Sequence, residues 1–179
     1  PGDVARETDD YAVTTFQTTH RTNAIGYALV EADRPGRFDR DKAEDELGIP
    51  PGPAYGRLHA GESVELDDGQ VIEPEEVVGE PRPGRTVVYT GDTRPVDATV
   101  DIAEGADLLI HDATFAADNA DRAQKTAHST GGEAGEIAAR AGVDRLALTH
   151  ISSRYGADAS PIKREAEAEF GGEVLLASD

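Results

Sequence analysis

Arg145-Leu146-Ala147-Leu148-Thr149-His150 is an apolar run that ends abruptly in a metal-grade imidazole, and three other stretches share its form. They read Thr86-Val87-Val88-Tyr89-Thr90-Gly91-Asp92, Asp107-Leu108-Leu109-Ile110-His111-Asp112 and Glu173-Val174-Leu175-Leu176-Ala177-Ser178-Asp179. Short runs rich in Leu and β-branched residues, separated by segments of helix length, predict parallel strands joined by helical crossovers. Ligands of such sheets bind at the carboxyl ends of the strands. Asp92, His111, Asp112 and His150 are therefore expected along one edge, where a hydrolytic metal site needs oxygen and nitrogen donors.

The crossovers are expected at residues 96–105, 132–142 and 161–170, the second carrying Ala134, Ile137, Ala138 and Ala141 on one side. Upstream, residues 11–17 and 24–32 alternate apolar and polar positions, as two half-buried antiparallel strands would. The loop between them carries His20, which by itself reads as a solvated histidine.

Between these strand-forming regions the composition changes. Residues 33–84 are dominated by Pro, Gly and charge, with few apolar residues of their own. Asp39 can cap a short helix through Leu47 that Gly48 ends, and Pro50-Pro51-Gly52-Pro53 reads as a rigid turn. Ser63-Val64-Glu65-Leu66 and Gln70-Val71-Ile72, joined by Asp67-Asp68-Gly69, read as a β-hairpin. The organisation expected is a fold segment over 1–32, a projecting arm over 33–84 and a second fold segment over 85–179.

The charge balance is extreme: 36 acidic residues against 17 basic ones give a formal charge of -19. Such self-repulsion is screened in molar salt, where the Debye length shrinks to about 3 Å, so a halophilic cytoplasm is the expected setting. Cysteine is absent, which removes disulfides and thiolate ligands; any zinc must be held by His and carboxylates. No run reaches the length of a membrane span, so no membrane partner is expected. The chain starts at Pro1 and contains no methionine, which places an initiator upstream.

Several residues at the predicted edge have competing readings. His150 is either a ligand on a rigid strand end or a buried structural histidine. Asp92 is either a metal bridge or a helix cap. His128 precedes Thr130 and Glu133, whose spacing fits a capping box, so its loop is held in place. His111-Asp112 is the natural supporting pair, since a carboxylate orienting an imidazole is a common device.

Taken together, these stretches resemble tRNase Z, the tRNA 3'-processing endonuclease family of the metallo-β-lactamase fold. The stretches that carry the resemblance are Leu148-Thr149-His150-Ile151-Ser152-Ser153-Arg154-Tyr155, Gly91-Asp92-Thr93, His111-Asp112-Ala113-Thr114 and His128-Ser129-Thr130. In the arm they are Arg34-Pro35-Gly36-Arg37-Phe38-Asp39 and Pro50-Pro51-Gly52-Pro53. The resemblance implies an α/β fold, the C-terminal half of an αββα sandwich with a protruding arm. It implies two zinc ions per complete site, with His20 a ligand of one, His150 a ligand of the other and Asp92 between them. His128, supported by Asp112 with His111 behind it, would protonate the departing 3'-oxygen.

The same resemblance gives the arm a purpose: clamping precursor tRNA through Gly52 and Pro53, within a homodimer and with no role for DNA. Arg34, Arg37, Arg40 and Arg57 in the arm, with Arg154, would supply phosphate contacts. At -19 the chain lacks a general attraction for polyanions, so shape and hydrogen bonding must carry more of the affinity. Two departures stand out. The family's His-x-His-x-Asp-His run is absent from these residues, and Asp112 stands where many relatives carry Glu. Two rival functions remain, a phosphodiesterase for small substrates on the same fold and a non-catalytic RNA-binding piece.

Overall fold

A computed structural model describes residues 2–156 and 158–177, so Ser178 and Asp179, the end of the fourth quoted run, lie outside the described residues. Strands β1 (Val4–Glu7), β2 (Tyr11–Thr19) and β3 (Asn23–Glu31) form an antiparallel meander in which Phe16 pairs with Gly26. The β2–β3 hairpin agrees with the alternation of its sequence, whereas β1, exposed throughout, gives no apolar signal and is not predicted.

The chain divides into two compact units, one formed by Ala32–Gly84 and the other by the residues before and after it. The inserted unit has a core of its own, contrary to its expected poverty in apolar groups. Ala43, Ile49, Leu58, Val64, Ile72 and Val77 are buried together, and Phe38 and Tyr55 pack against them. They are spread along the whole insertion in no common period, so no window of sequence shows them as a set. Asp39 does accept from the backbone N–H of Lys42, at the start of a π-helical turn over Lys42–Glu46. Pro53, read as part of a turn, instead opens helix α1 (Pro53–His59), where its missing N–H costs nothing. Strands β4 (Val64–Glu65) and β5 (Val71–Ile72) form the expected hairpin. Backbone hydrogen bonds from Arg34 to Arg82 and back, 2.9 and 2.8 Å, close the base of the unit.

In the larger unit β6 (Thr86–Tyr89), α2 (Asp97–Ile102), β7 (Leu108–Asp112), α3 (Ala120–Thr126), α4 (Gly131–Ala141), β8 (Arg145–Thr149), α5 (Ser160–Phe170) and β9 (Glu173–Leu176) follow in order. Helix α3 is not predicted; its sequence, Ala120-Asp121-Arg122-Ala123-Gln124-Lys125-Thr126, has no apolar stripe. Strands β6 to β9 pair in parallel, and the sheet order is β1-β2-β3-β6-β7-β8-β9.

One face of this sheet is covered: Phe16, Ala28, Val88, Leu109, Leu146, Leu148 and Val174 pack with Ala134, Ile137 and Ala138 of α4 and Ile162 and Ala166 of α5. Helices α4 and α5 approach so closely that a Cβ on Gly131 would stand 2.2 Å from the Ile162 carbonyl oxygen, and one on Gly135 2.5 Å from that of Ala166. The opposite face carries Ile25, Tyr27, Tyr89 and Leu175, each 40–43% exposed, in a row that the register continues through Ile110 and Ala147. The larger unit is thus one seven-stranded sheet with one layer of helices packed on it.

Candidate active site

The carboxyl ends of β6, β7 and β8 lie side by side because those strands are parallel and in register. Gly91, just beyond β6, has φ +62, and His150, just beyond β8, has φ +59 in a side chain that ordinarily avoids that region. The tight turns they permit bring Asp92 and His150 together, with Asp92 Oδ2 3.6 Å from His150 Nε2. Two donors of a tetrahedral zinc with bonds near 2.0–2.1 Å stand about 3.3 Å apart, so this spacing suits shared ligation.

His20, at the end of β2, joins them. Its Nδ1 lies 2.8 Å from the carbonyl oxygen of Ala127, so Nδ1–H donates there and Nε2 keeps a free lone pair. Ala127 itself has φ +60 at the end of α3, the conformation that aims its carbonyl at His20. The solvated-loop reading of His20 is not what the structure gives: the imidazole is partly buried and anchored.

His128 follows Ala127 and is 8% exposed. Its ring sits between those of His20 and His150, with centroids 4.8 and 4.9 Å away. Donor atoms of His20, Asp92 and His128 fall within 4.8 Å of one another, so this trio could also hold a cation. What separates His128 from the others is its partner. Asp112 Oδ2 lies 2.7 Å from His128 Nδ1, and the same buried carboxylate accepts from the N–H of Thr93 (3.0 Å), the N–H of Thr114 (2.9 Å) and the Thr114 hydroxyl (2.7 Å). Four donors satisfy Asp112, and the tautomer it imposes leaves Nε2 of His128 facing the cluster.

His111 goes elsewhere. Successive strand residues point to opposite faces, so Asp112 takes the site side and His111 the helix-covered side. Its Nδ1 donates to the Asp112 carbonyl, 2.8 Å away, while its buried Nε2 has no partner. Burial pushes this imidazole below its ordinary value, against smaller opposing effects of the Asp112 backbone and charge.

The capping box is present: Thr130 Oγ1 accepts from Glu133 N at 3.2 Å, and Glu133 Oε2 accepts from Thr130 N at 2.8 Å. Burial alone would raise the Glu133 carboxyl, but the Arg94 guanidinium and Thr130 outweigh it and hold it below the ordinary range. Nothing in the sequence marks Arg94 or Ala127, and Thr93 and Ser129 enter it only as neighbours of Asp92 and His128. Thr93 supports Asp112, and Ser129 Oγ donates to the Thr93 carbonyl at 2.6 Å. Such roles depend on backbone groups, which residue type does not advertise.

Of the expected RNA contacts, Gly52, Pro53, Arg34, Arg37 and Arg40 are exposed on the inserted unit. Arg57 is engaged, donating to Glu62 Oε2 at 3.1 Å and to the Ser63 carbonyl at 3.2 Å. Arg154 is exposed in the 3₁₀ turn Ser153–Tyr155, four residues beyond His150. That turn borders a cavity of about 690 Å³ that His150, Ser152, Asp158 and Leu176 help to line.

Imidazoles and carboxylates gathered at the carboxyl edge of a sheet that carries helices on one face define an α/β protein of the beta-lactamase superfamily class. A profile of the beta-lactamase superfamily domain matches residues 42–151, and the chain belongs to that superfamily. Its fold is that of the metallo-β-lactamase fold protein YhfI from Bacillus subtilis (TM-score 0.62, 22% identity, 99% of this chain, 51% of that one) and of the short form of human tRNase Z (0.56, 23%, 98% and 44%). Within the superfamily it is similar to curated proteins called ribonuclease Z. It is 64% identical to that of Natronomonas pharaonis over 99% of this chain, and 65% and 63% identical to those of Halorubrum lacusprofundi and Haloferax volcanii over 100%. The chain spans 56–58% of the length of these three relatives. The fold family implies a divalent metal ion, and the His20, Asp92 and His128 group fits one.

Proposed function

We propose that this chain carries the proton-donating half of a tRNA 3'-processing endoribonuclease, acting on precursor tRNA to leave a 3'-hydroxyl. The observation that carries the reading is the buried Asp112–His128 pair beside His20, Asp92 and His150, in a chain whose relatives of 61–65% identity are called ribonuclease Z.

The donor set suits zinc: imidazole nitrogen and carboxylate oxygen, with the second nitrogen of His20 spent on a carbonyl. His20, Asp92 and His150 would hold the metal. When bound, zinc would supply an activated water and offset charge on the phosphodiester. The chain's own contribution is a proton at a defined atom. With Nδ1–H directed to Asp112, Nε2 of His128 carries the proton to the leaving 3'-oxygen, and the carboxylate stabilises the charged ring before transfer.

The Ala32–Gly84 unit would clamp the tRNA through Gly52, Pro53, Arg34 and Arg37, with Arg154 near the scissile phosphate. A homodimer is what the resemblance implies, and a halophilic cytoplasm agrees with the charge of -19 and with relatives from halophilic archaea; no described helix is long and apolar enough to cross a membrane. The test is cleavage of a precursor tRNA with a 3' trailer in molar KCl with zinc, by the protein expressed from its natural start. A tRNA ending in a 3'-hydroxyl, lost in Asp92→Ala and His150→Ala, is expected. Intact precursor in the presence of stoichiometric zinc would overturn the reading.

A further inference from the structure

An arginine two residues from a metal-ligand candidate in an RNA-cleaving site invites assignment as a phosphate clamp, but the position of Arg94 points elsewhere. Its Nη1 donates to the carbonyl oxygen of His128 and, at 2.9 Å, to Glu133 Oε2, while Nη2 donates to Glu133 Oε1. This is a fork-to-fork pair, and both side chains are largely withdrawn from water, at 24% and 30% exposed. An arginine whose charge is already cancelled by a carboxylate has little to offer a phosphodiester. Releasing it would also strip a partner from Glu133, which caps α4 through Thr130.

The backbone of Arg94 completes the arrangement. Its N–H donates to the Thr19 carbonyl at 2.8 Å, next to His20, and Asp92 lies two residues before it. One residue thus ties the end of β2, the Asp92 loop and the His128 loop together. Asp112 fixes which way the His128 ring faces; Arg94 fixes where the residue that bears the ring stands.

We propose that Arg94 is a positioning residue for His128, acting through the His128 carbonyl and Glu133, and that it makes no phosphate contact. The proposal rests on the tRNA-cleavage reading for its kinetic consequence. Misplacing a reacting group by about 1 Å can cost on the order of 100-fold in rate. Binding of substrate, by contrast, is untouched when no substrate contact is lost.

The test compares Arg94→Met, Arg94→Lys, Glu133→Gln, His128→Ala and the Arg94→Met/His128→Ala pair across a KCl series. Arg94→Met is expected to lower kcat roughly 10- to 100-fold, with KM and its salt dependence unchanged. Arg94→Lys, which keeps one donor and the charge, should recover part of the loss, and Glu133→Gln should reproduce part of it should Arg94→Met fail to fold. In the His128→Ala background the Arg94→Met change should cost nothing further. A raised KM with a salt slope reduced by about 1 would identify a phosphate contact and overturn the proposal. So would an undiminished loss in the His128→Ala background. Independently of cleavage, ¹⁵N-histidine spectra of the substrate-free protein should show the His128 Nδ1–H signal shifted or broadened in Arg94→Met; an unchanged signal would also overturn it. A wild-type protein that leaves precursor tRNA intact would sink the functional reading alone, since the histidine signal still reports on the brace.

Discussion

Asp112 and His128 are joined at 2.7 Å across sixteen residues of chain, and the carboxylate is fully buried with three further hydrogen bonds from Thr93 and Thr114. So completely satisfied a carboxylate is a fixed support for the ring. Replacing Asp112 by Asn keeps the shape but removes the charge and lets the other tautomer form. Cleavage should fall roughly 10- to 100-fold, against roughly 100- to 10,000-fold for His128→Ala. Asp112→Glu tests the reach that separates this chain from many relatives. Single-turnover cleavage, read beside thermal midpoints, separates these chemical effects from unfolding.

Zinc binding should depend on the residues that would hold the ion, His20 and His150 through imidazole nitrogen and Asp92 through carboxylate oxygen. Calorimetric titration should show affinity reduced in His20→Ala and Asp92→Ala. His111→Leu should leave it unchanged, because that side chain lies on the other face of β7. Strong loss of zinc in His111→Leu alone would place that residue in the site after all.

His111 instead predicts acid sensitivity of the fold. Its pKa is lowered in the folded chain by burial, relative to the ordinary value of about 6.5. Below that value the unfolded chain takes up a proton that the folded chain refuses, so stability is full above about pH 6.5 and declines as pH falls toward the folded value. In His111→Leu this component is gone. Denaturation midpoints between pH 7.5 and 5 should therefore fall less in the variant than in the wild type, and equal slopes would refute the assignment.

The α4–α5 contact can be tested at one atom. A methyl on Gly135 would stand 2.5 Å from the Ala166 carbonyl oxygen, which is backbone and cannot rotate away. Gly135→Ala should therefore cost about 1–3 kcal/mol by forcing the helices apart, despite the better helix propensity of Ala. Gly132→Ala, one residue outside the contact, meets only the Glu165 Cβ at 4.0 Å and should be neutral or stabilising. Urea midpoints of the two variants decide between crowding and propensity.

Legibility of the sequence followed the range of the interactions involved. Strands β6 to β9 were readable because an apolar run and the polar residue ending it are adjacent in sequence. The Thr130–Glu133 cap was readable for the same reason. The core of the inserted unit was not: Leu58, Val64, Ile72 and Val77 lie far apart in sequence, in no common period, and only the fold assembles them. The separation of His111 from Asp112 follows from strand alternation, which turns adjacent residues to opposite faces however alike their chemistry. Arg94 was invisible because its partners are a carbonyl and a carboxylate thirty-odd residues away.

The inserted unit offers the clearest discrimination between a tRNA-processing enzyme and a hydrolase of small phosphodiesters. Arg34 and Arg82 exchange backbone hydrogen bonds of 2.9 and 2.8 Å, so the two ends of the insertion are already adjacent. Residues 35–81 can be replaced by a short Gly-Ser turn without stretching the chain on either side. The insertion has a hydrophobic core of its own, made of residues other than those that pack under the seven-stranded sheet. The deleted protein should keep its zinc and its hydrolysis of a small phosphodiester such as bis-p-nitrophenyl phosphate. Its kcat/KM on precursor tRNA should fall roughly 100-fold or more, since contacts worth at least about 2.7 kcal/mol are lost. Equal loss on both substrates would mean that the insertion supports the site itself, and unchanged tRNA processing would remove its role as a clamp.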